Sequence, residues 1–380
     1  MESITFNSNF VLSTVKSLKR CKFVRVCLRR TDDGMDEIRA FDLNSSITKD
    51  GNPLLIVREK SQLSDEGPCH FWVNVDDLFK AIQFSAGKSK VLFFNYDAKE
   101  NSVQIVGDRR STIKSDKSVD EFAIEYSLNG EMREYNVDFV NELPHVIHSI
   151  GKDNARPSFT GVHFDGTQLV STDGNRLSVS NVCCDNQTTG DEEPTSIIIP
   201  QDVAKIIIEF GSIHPEKGCL VNSQKLVNSQ KQGECLYTRE GLSLYFESIS
   251  DTYPDFKKVI PNRCDFTFNA RIEPMIEAIA PAVKGMITPH GRIDGGDGVL
   301  KFKIWESGAR KGRAKSETEV EFEVNVEGNV SGMLIGMNMK YFLEALRSQF
   351  FAVKVDVIDQ DSPVIIRGSN GTQIVMPIQI

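Results

Sequence analysis

An internal repeat constrains the fold of this chain more than any other feature. Phe6-Asn7-Ser8-Asn9-Phe10-Val11 opens the chain, Tyr135-Asn136-Val137-Asp138-Phe139-Val140 repeats the pattern, and Phe268-Asn269-Ala270-Arg271-Ile272 repeats it more loosely. Three similar starts lie between: Val73-Asn74-Val75-Asp76-Asp77-Leu78-Phe79, Ile199-Pro200-Gln201-Asp202-Val203 and Met337-Asn338-Met339-Lys340-Tyr341-Phe342. The markers fall at positions 7, 74, 136, 200, 269 and 338, with separations of 67, 62, 64, 69 and 69 residues. Each start reads as a strand end, a capping residue and an amphipathic helix. An Asn or Asp there can accept hydrogen bonds from the first free helical N–H groups. The spacing implies six copies of one strand–helix–strands unit, paired into three domains. Boundaries near 130 and 264 give domains 1–130, 131–263 and 264–380.

Periodicity agrees. Val11, Leu12, Val15 and Leu18 share one helical face, as do Phe139, Val140, Leu143, Val146, Ile147 and Ile150, and Ile272, Met275, Ile276, Ile279 and Val283. Segments between helices read as strands, among them Lys90–Asn95, Gln104–Val106, Leu242–Phe246, Leu300–Trp305 and Val320–Val326. Short turns join many of them, so an α+β architecture with antiparallel sheets is expected. Asp185–Pro194 reads as an exposed loop, and Gly308–Lys315 (GARKGRAK) as a basic loop. Val221–Lys225 recurs as Val227–Lys231, which suggests a lengthened hairpin.

Leu169–Ser180 (LVSTDGNRLSVS) reads as a tight strand–turn–strand, because Gly174 accepts a positive φ without a Cβ clash. Taken alone it could be an ordinary hairpin.

The composition is that of an ordinary globular protein, 40% hydrophobic and 26% charged. No apolar run is long enough for a bilayer span, and MESITFNSNF lacks the pattern of a signal peptide. The eight cysteines form no metal or disulfide framework and read as reduced thiols in a cytoplasmic protein. A net charge of −9 argues against a simple nucleic-acid binder, but leaves room for a local basic surface on an acidic whole.

Motifs for catalysis are missing. Gly87-Lys88-Ser89 resembles part of a phosphate loop, but Ile82 stands where that loop needs glycine. His145 and His148 lie three apart on an expected helix with no further ligand in sight, so no metal and no cofactor is expected. Asp294–Gly298 lacks the alternating ligands of a calcium loop and reads as a turn. No Ser sits in a nucleophile elbow. Triads assemble in space rather than in sequence, so a hydrolase using His145, His148 or scattered acids stays an alternative.

Two further segments join the turn: Tyr253-Pro254-Asp255-Phe256-Lys257-Lys258-Val259-Ile260-Pro261 and the tail Ile374-Val375-Met376-Pro377-Ile378-Gln379-Ile380. In this order and at these distances, the three closely resemble the bacterial β sliding clamp family, the processivity subunits of DNA polymerase III. The resemblance spans the chain, but its specific motifs lie in the last 225 residues or so. It implies a DNA-clamp fold: three similar domains, each with antiparallel sheets outside and two helices inside, and two chains joined head to tail into a ring around duplex DNA. It implies no catalysis. Implied partners are duplex DNA regardless of sequence, a polymerase and a clamp loader carrying short peptides of the Gln-Leu-x-Leu-Phe kind, and a second copy of the chain. No membrane is implied.

The residues matching the family's peptide cleft are Arg156, Phe159, Thr172, Gly174, Asn175, Leu177, Pro254, Lys258, Val259, Asn338, Tyr341, Ile374, Val375, Met376, Pro377, Ile378 and Ile380. Met and branched aliphatics suit an adaptable apolar groove. Candidate DNA-facing side chains, equally readable as solubilising charges, are Lys16, Lys19, Arg20, Lys80, Lys88, Lys152, Lys205, Lys284, Lys340 and Arg347. Ile113 with its strand, and Val283–Ile287, match the ring-closing edges. Asn175 stands where the family often has His, and Gln379-Ile380 replaces a common Arg-Leu ending. Both imply altered peptide preference. The alternatives are a monomeric clamp-like interaction module and a DNA-binding protein that reads sequence.

Overall fold

A computed structural model describes residues 2–9, 11, 12, 15, 24–30, 35–42, 53–60, 70–97, 99–114, 132–152, 155–182, 196–211, 218–227, 230–239, 242–261, 263–306 and 320–380. Two compact units are present. One comprises Met1–Val140, Cys183–Glu193 and Ile199–Ser250; the other comprises Asn141–Val182, Pro194–Ile198 and Asp251–Ile380.

The elements follow a recurring order of strand, helix and three strands. The first copy is β1 (Glu2–Asn7), helical residues of which Ser8, Asn9, Val11, Leu12 and Val15 are described, β2 (Val24–Arg30), β3 (Met35–Asp42) and β4 (Pro53–Lys60). The second is β5 (His70–Asn74), α1 (Val75–Ala86), β6 (Val91–Asp97), β7 (Ser102–Val106) and β8 (Arg110–Lys114). The third is β9 (Met132–Val137), α2 (Phe139–Glu142), β10 (Gly161–Phe164), β11 (Gln168–Thr172) and β12 (Arg176–Asn181). The fourth is β13 (Ile197–Pro200), α3 (Gln201–Gly211), β14 (Gly218–Val227), β15 (Gln230–Arg239) and β16 (Leu242–Glu247). The fifth is β17 (Phe266–Arg271), α4 (Ile272–Val283), β18 (Pro289–Gly296), β19 (Val299–Glu306) and β20 (Val320–Asn325). After a short β21 (Glu327–Asn329) comes the sixth: β22 (Leu334–Asn338), α5 (Met339–Arg347), β23 (Ala352–Val357), β24 (Val364–Gly368) and β25 (Gly371–Val375).

The first unit holds sheets ordered β1-β6-β7-β8 and β5-β2-β3-β4-β16-β15-β14-β9. The second holds β13-β10-β11-β12-β25-β24-β23-β17-β21 and β20-β19-β18-β22. The recorded registers are antiparallel, as expected from the short turns. Two joins share one design. The last strand of one copy pairs with the last strand of another: β4 with β16 through Leu242↔Val57, and β12 with β25 through Leu177↔Ile374. The last strands of the second and fifth copies, β8 and β20, each end a sheet.

Local chemistry explains where the helices start. The Asn74 side chain accepts from Asp76 N at 2.9 Å, and Asn338 accepts from Lys340 N at 3.0 Å. Each satisfies N–H groups that have no partner within the helix. Asn269 instead lies inside β17, and Arg271 occupies the cap position with no side-chain cap. The helix expected over Phe139–Ile150 ends at Glu142 and continues as 3₁₀ turns over Leu143–His145 and Ile147–Ser149. Pro144 explains this, since it lacks an N–H and clashes with the preceding turn. The turn expected at Asp294–Gly298 shrinks to Asp297-Gly298, because the β18–β19 ladder runs to Gly296↔Val299. The lengthened hairpin is present, with β14 and β15 paired out to Val227↔Gln230. Asp185–Pro194 and Gly308–Lys315 lie outside the described residues.

Each amphipathic helix buries its apolar stripe: Leu78 and Ile82 from α1, Met275 and Ile279 from α4, Phe342 and Leu346 from α5. In the second unit the last four meet Phe302, Ile335, Val355 and Ile366 in one core. Burying a side chain such as Phe342 contributes about 2–3 kcal/mol. No helix among the described residues is long and apolar enough to cross a membrane.

Candidate functional site

The site grows from the β11–β12 turn, in the second unit. Thr172 Oγ1 donates to Arg176 O at 2.6 Å and accepts from Gly174 N at 3.0 Å. The Asp173 carboxylate accepts from Asn175 N at 2.9 Å and Arg176 N at 3.2 Å, an Asx turn. Gly174 takes φ +90°, as its place in the turn requires. The tip is therefore stiff and exposes Gly174 and Asn175, while Thr172 and Leu177 are buried beneath it. Gly174 faces Arg156 and Phe159: a Cβ there would lie 3.7 Å from Arg156 Nη1 and from Phe159 Cε2.

The tail is tied to the same turn. Met376 N donates to Asn175 O at 2.9 Å, Ile378 N donates to Gly336 O at 2.8 Å, and Pro377 bridges Met337. Gly336 is required here, since a Cβ would overlap Ile380 Cγ2. Met376 and Ile380 are exposed, Pro377 and Ile378 half-buried. Ile374 and Val375 lie in the core within β25, so they form the floor of the site.

The Tyr253–Val259 segment enters through an aromatic column. The Arg156 guanidinium lies 5.4 Å from the Phe159 ring centre, and Phe159 lies 6.4 Å from Tyr253. Tyr253 stacks on His163 at 4.5 Å, and His163 Nε2 meets Ser196 Oγ at 3.1 Å. Burial depresses His163 to about 4, against a weaker opposing pull from Asp165, so the ring is neutral at pH 7. Burial also raises the Tyr253 hydroxyl. The column presents Pro254, Lys258 and Val259 to solvent.

Sequence reasoning missed Arg176. Its side chain is 11% exposed, with Nε 2.9 Å from Asp173. Nη1 pairs with Glu344, Nη2 donates to His148 O, and the guanidinium sits 4.2 Å over the Tyr341 ring. It fixes the turn to α5, whose start carries Asn338 and Tyr341. Behind it, buried Ser149, Ser178 and Gln373 are hydrogen-bonded together across the β12–β25 join. His148 lies beside Ser178 and is depressed to about 4, first by burial and then by Arg176.

Of the basic candidates, Lys80, Lys88, Lys152, Lys284, Lys340 and Arg347 are exposed. Lys205 is half-buried and pairs with Asp202 at 3.5 Å. Lys16, Lys19 and Arg20 lie outside the described residues. Ile113 is half-buried on β8, and Val283–Ile287 spans the end of α4 and the turn after it. Among the described residues no group of His, Cys, Asp and Glu could hold a metal.

The architecture is that of the DNA clamps. Within that class, it matches bacterial DNA polymerase III beta subunits. The structure superposes over its full length on the beta subunit from Thermotoga maritima, with TM-score 0.75, 17% identity and 99% of that chain covered. The Pseudomonas aeruginosa subunit matches with TM-score 0.73 at 16% identity, both chains fully covered. A sliding clamp from Bartonella birtlesii, solved bound to griselimycin, gives TM-score 0.75 at 16% identity over both full chains. In sequence, the beta sliding clamp of Lactococcus lactis is 26% identical over 129 residues, 32% of this chain. That match spans only 30% of the relative's length. No protein-family model matches the chain. The resemblance read from the three motifs is borne out by these matches, and the mixed fold of helices and antiparallel sheets expected from it is the fold observed.

Proposed function

We propose that this chain is a DNA sliding clamp. Two copies, each of three domains (1–130, 131–263 and 264–380), join head to tail into a ring around duplex DNA. The ring tethers a polymerase and a clamp loader through short peptides held at the site around Thr172–Leu177, Pro254–Val259 and the tail. The function is topological and non-catalytic: a closed ring cannot leave DNA sideways, yet slides if its phosphate contacts are weak and independent of sequence. The acting compartment is the cytoplasm, in keeping with Cys264 as a free thiol among the described residues.

The observation that carries this reading is the pattern of sheet ends. Where last strands meet within a unit, they join edge to edge; among the described residues, β8 and β20 are the two left over. They are also opposite in charge. β8 exposes Arg110 and Lys114, and β20 exposes Glu321 and Glu323, which within their own sheet meet Lys303 at 3.4 Å and Lys301 at 3.2 Å. A β8 edge from one copy laid on a β20 edge from another would rebuild the join already used twice, and a heterologous contact that closes on rotation makes a ring.

Sedimentation equilibrium tests this together with anisotropy of a labelled Gln-Leu-Ser-Leu-Phe peptide. A two-copy mass that falls to one copy in the E321K/E323K variant, with saturable peptide binding lost on truncation after Pro377, supports the clamp. A stable monomer that still binds peptide would point to the interaction module instead. A folded protein that neither pairs nor binds would leave the fold without this function.

A further inference from the structure

The far end of α5 from Asn338 carries a feature that the clamp reading leaves unused. Phe350 and Phe351 close the turn into β23, and they are 58% and 92% exposed. Phe351 sits at φ +63°, the left-handed region, which costs a bulky residue roughly 1–3 kcal/mol. The backbone holds it there. Phe351 O accepts from Ile272 N at 3.0 Å, Ala352 N donates to Phe350 O at 2.8 Å, and Phe350 N donates to Ser369 Oγ at 3.2 Å. The Phe350 ring stands edge-on to His145 at 6.0 Å. An aromatic side chain is thus held out in water by a strained but well-tied turn.

At its base lies a cavity of about 730 Å³, walled by Ile272, Pro274, Ile276 and the two Phe residues. Its rim carries Arg271 beside Glu273 and Glu277. A knob stands next to a hole of similar character, and a positive charge next to negative ones. A two-fold contact between identical surfaces requires this pairing, since every group must find its complement on the same patch.

We infer that this patch is a self-association surface whose occupant is a second copy of this chain. Phe351 of each copy enters the cavity of the other, and Arg271 of each faces the other's Glu273 and Glu277. At about 200 Å² per Phe ring, the exposed fractions amount to roughly 300 Å² per copy, about 600 Å² for the two pairs of rings, and the walls they cover add a smaller share. Stable complexes bury about 1,200–2,000 Å². The contact is therefore weak and forms only at high local concentration. It engages the end of α5 opposite Asn338, so Asn175, Met376 and Tyr341 stay uncovered.

Sedimentation equilibrium of the full chain from about 5 to about 200 µM, the range where a weak interface loads, tests it. F351N is the diagnostic variant, because Asn tolerates the left-handed region and the site is exposed, so folding is preserved or improved. The expected result is a concentration-dependent step that F351N weakens at least tenfold. E321K/E323K should leave that step intact. R271E should weaken it too, and mixing R271E with E273R/E277R should restore it. Wild-type and F351N profiles that coincide at every concentration would overturn the inference. So would a step abolished by E321K/E323K alone.

Discussion

Acid should loosen the site through His163, and the size of the effect can be worked out. The ring is depressed from its ordinary 6.5 to about 4, chiefly by burial against Tyr253. In the unfolded chain it titrates near 6.5. Between pH 6.5 and 4 the unfolded chain therefore binds a proton that the folded chain refuses, so stability falls as pH falls and levels off below about 4. At pH 5, the 1.5-unit gap below 6.5 amounts to about 2 kcal/mol at 1.36 kcal/mol per unit. His163→Phe keeps an aromatic ring against Tyr253 and removes the titration. It gives up the bond to Ser196, about 1 kcal/mol at any pH. Urea unfolding at pH 7 and pH 5 should show the wild type losing about 2 kcal/mol more between the two than H163F loses. The shared contribution of carboxylates, and of His148, cancels in that difference. An H163F protein as acid-sensitive as the wild type would refute the reasoning, because His163 would then accept its proton in the folded state.

Three other perturbations follow from the geometry. Arg176→Met strands Glu344 and Asp173 and frees the turn from α5, so it should destabilise the second unit by about 3 kcal/mol in urea titration, with Arg176→Lys intermediate. Gly336→Ala should push Ile378 and Ile380 off β22, seen as faster carboxypeptidase release of the tail and weaker binding of the Gln-Leu-Ser-Leu-Phe peptide. Lys284→Ala, if that side chain touches phosphate, should lower the slope of log affinity against log salt on duplex DNA by about 0.9, with no change of sequence preference.

What was legible in the sequence was local. Asn74 and Asn338 could be read as caps because the groups they satisfy lie two or three residues away. The Thr172–Arg176 turn was legible for the same reason, since its hydrogen bonds close within four residues. Periodicity found the apolar face of Phe139–Ile150 but said nothing of Pro144, which divides that face among three short turns. Arg176 was invisible as a linchpin because its partners His148, Tyr341 and Glu344 come from distant parts of the chain. The tail motif mixed two environments that only strand pairing separates: Ile374 and Val375 in the ladder to β12, Met376 and Ile380 in solvent.

The proposed ring would have unequal seams built from one kind of ladder. The β4–β16 and β12–β25 joins lie within one chain, where tethering supplies a high effective concentration and no translational freedom is lost on pairing. The β12–β25 join is further locked by Arg176 with Glu344 and by Ser178 with Gln373, all largely buried. A β8–β20 join between copies has no tether. Its charges, Arg110 and Lys114 against Glu321 and Glu323, are exposed, and such pairs each contribute at most about 1 kcal/mol and are screened by salt. A ring has to open to admit DNA and must not open anywhere else. In the proposed ring the seam between copies would on these physical grounds be the one to yield, and rising salt should open it well before either internal join parts.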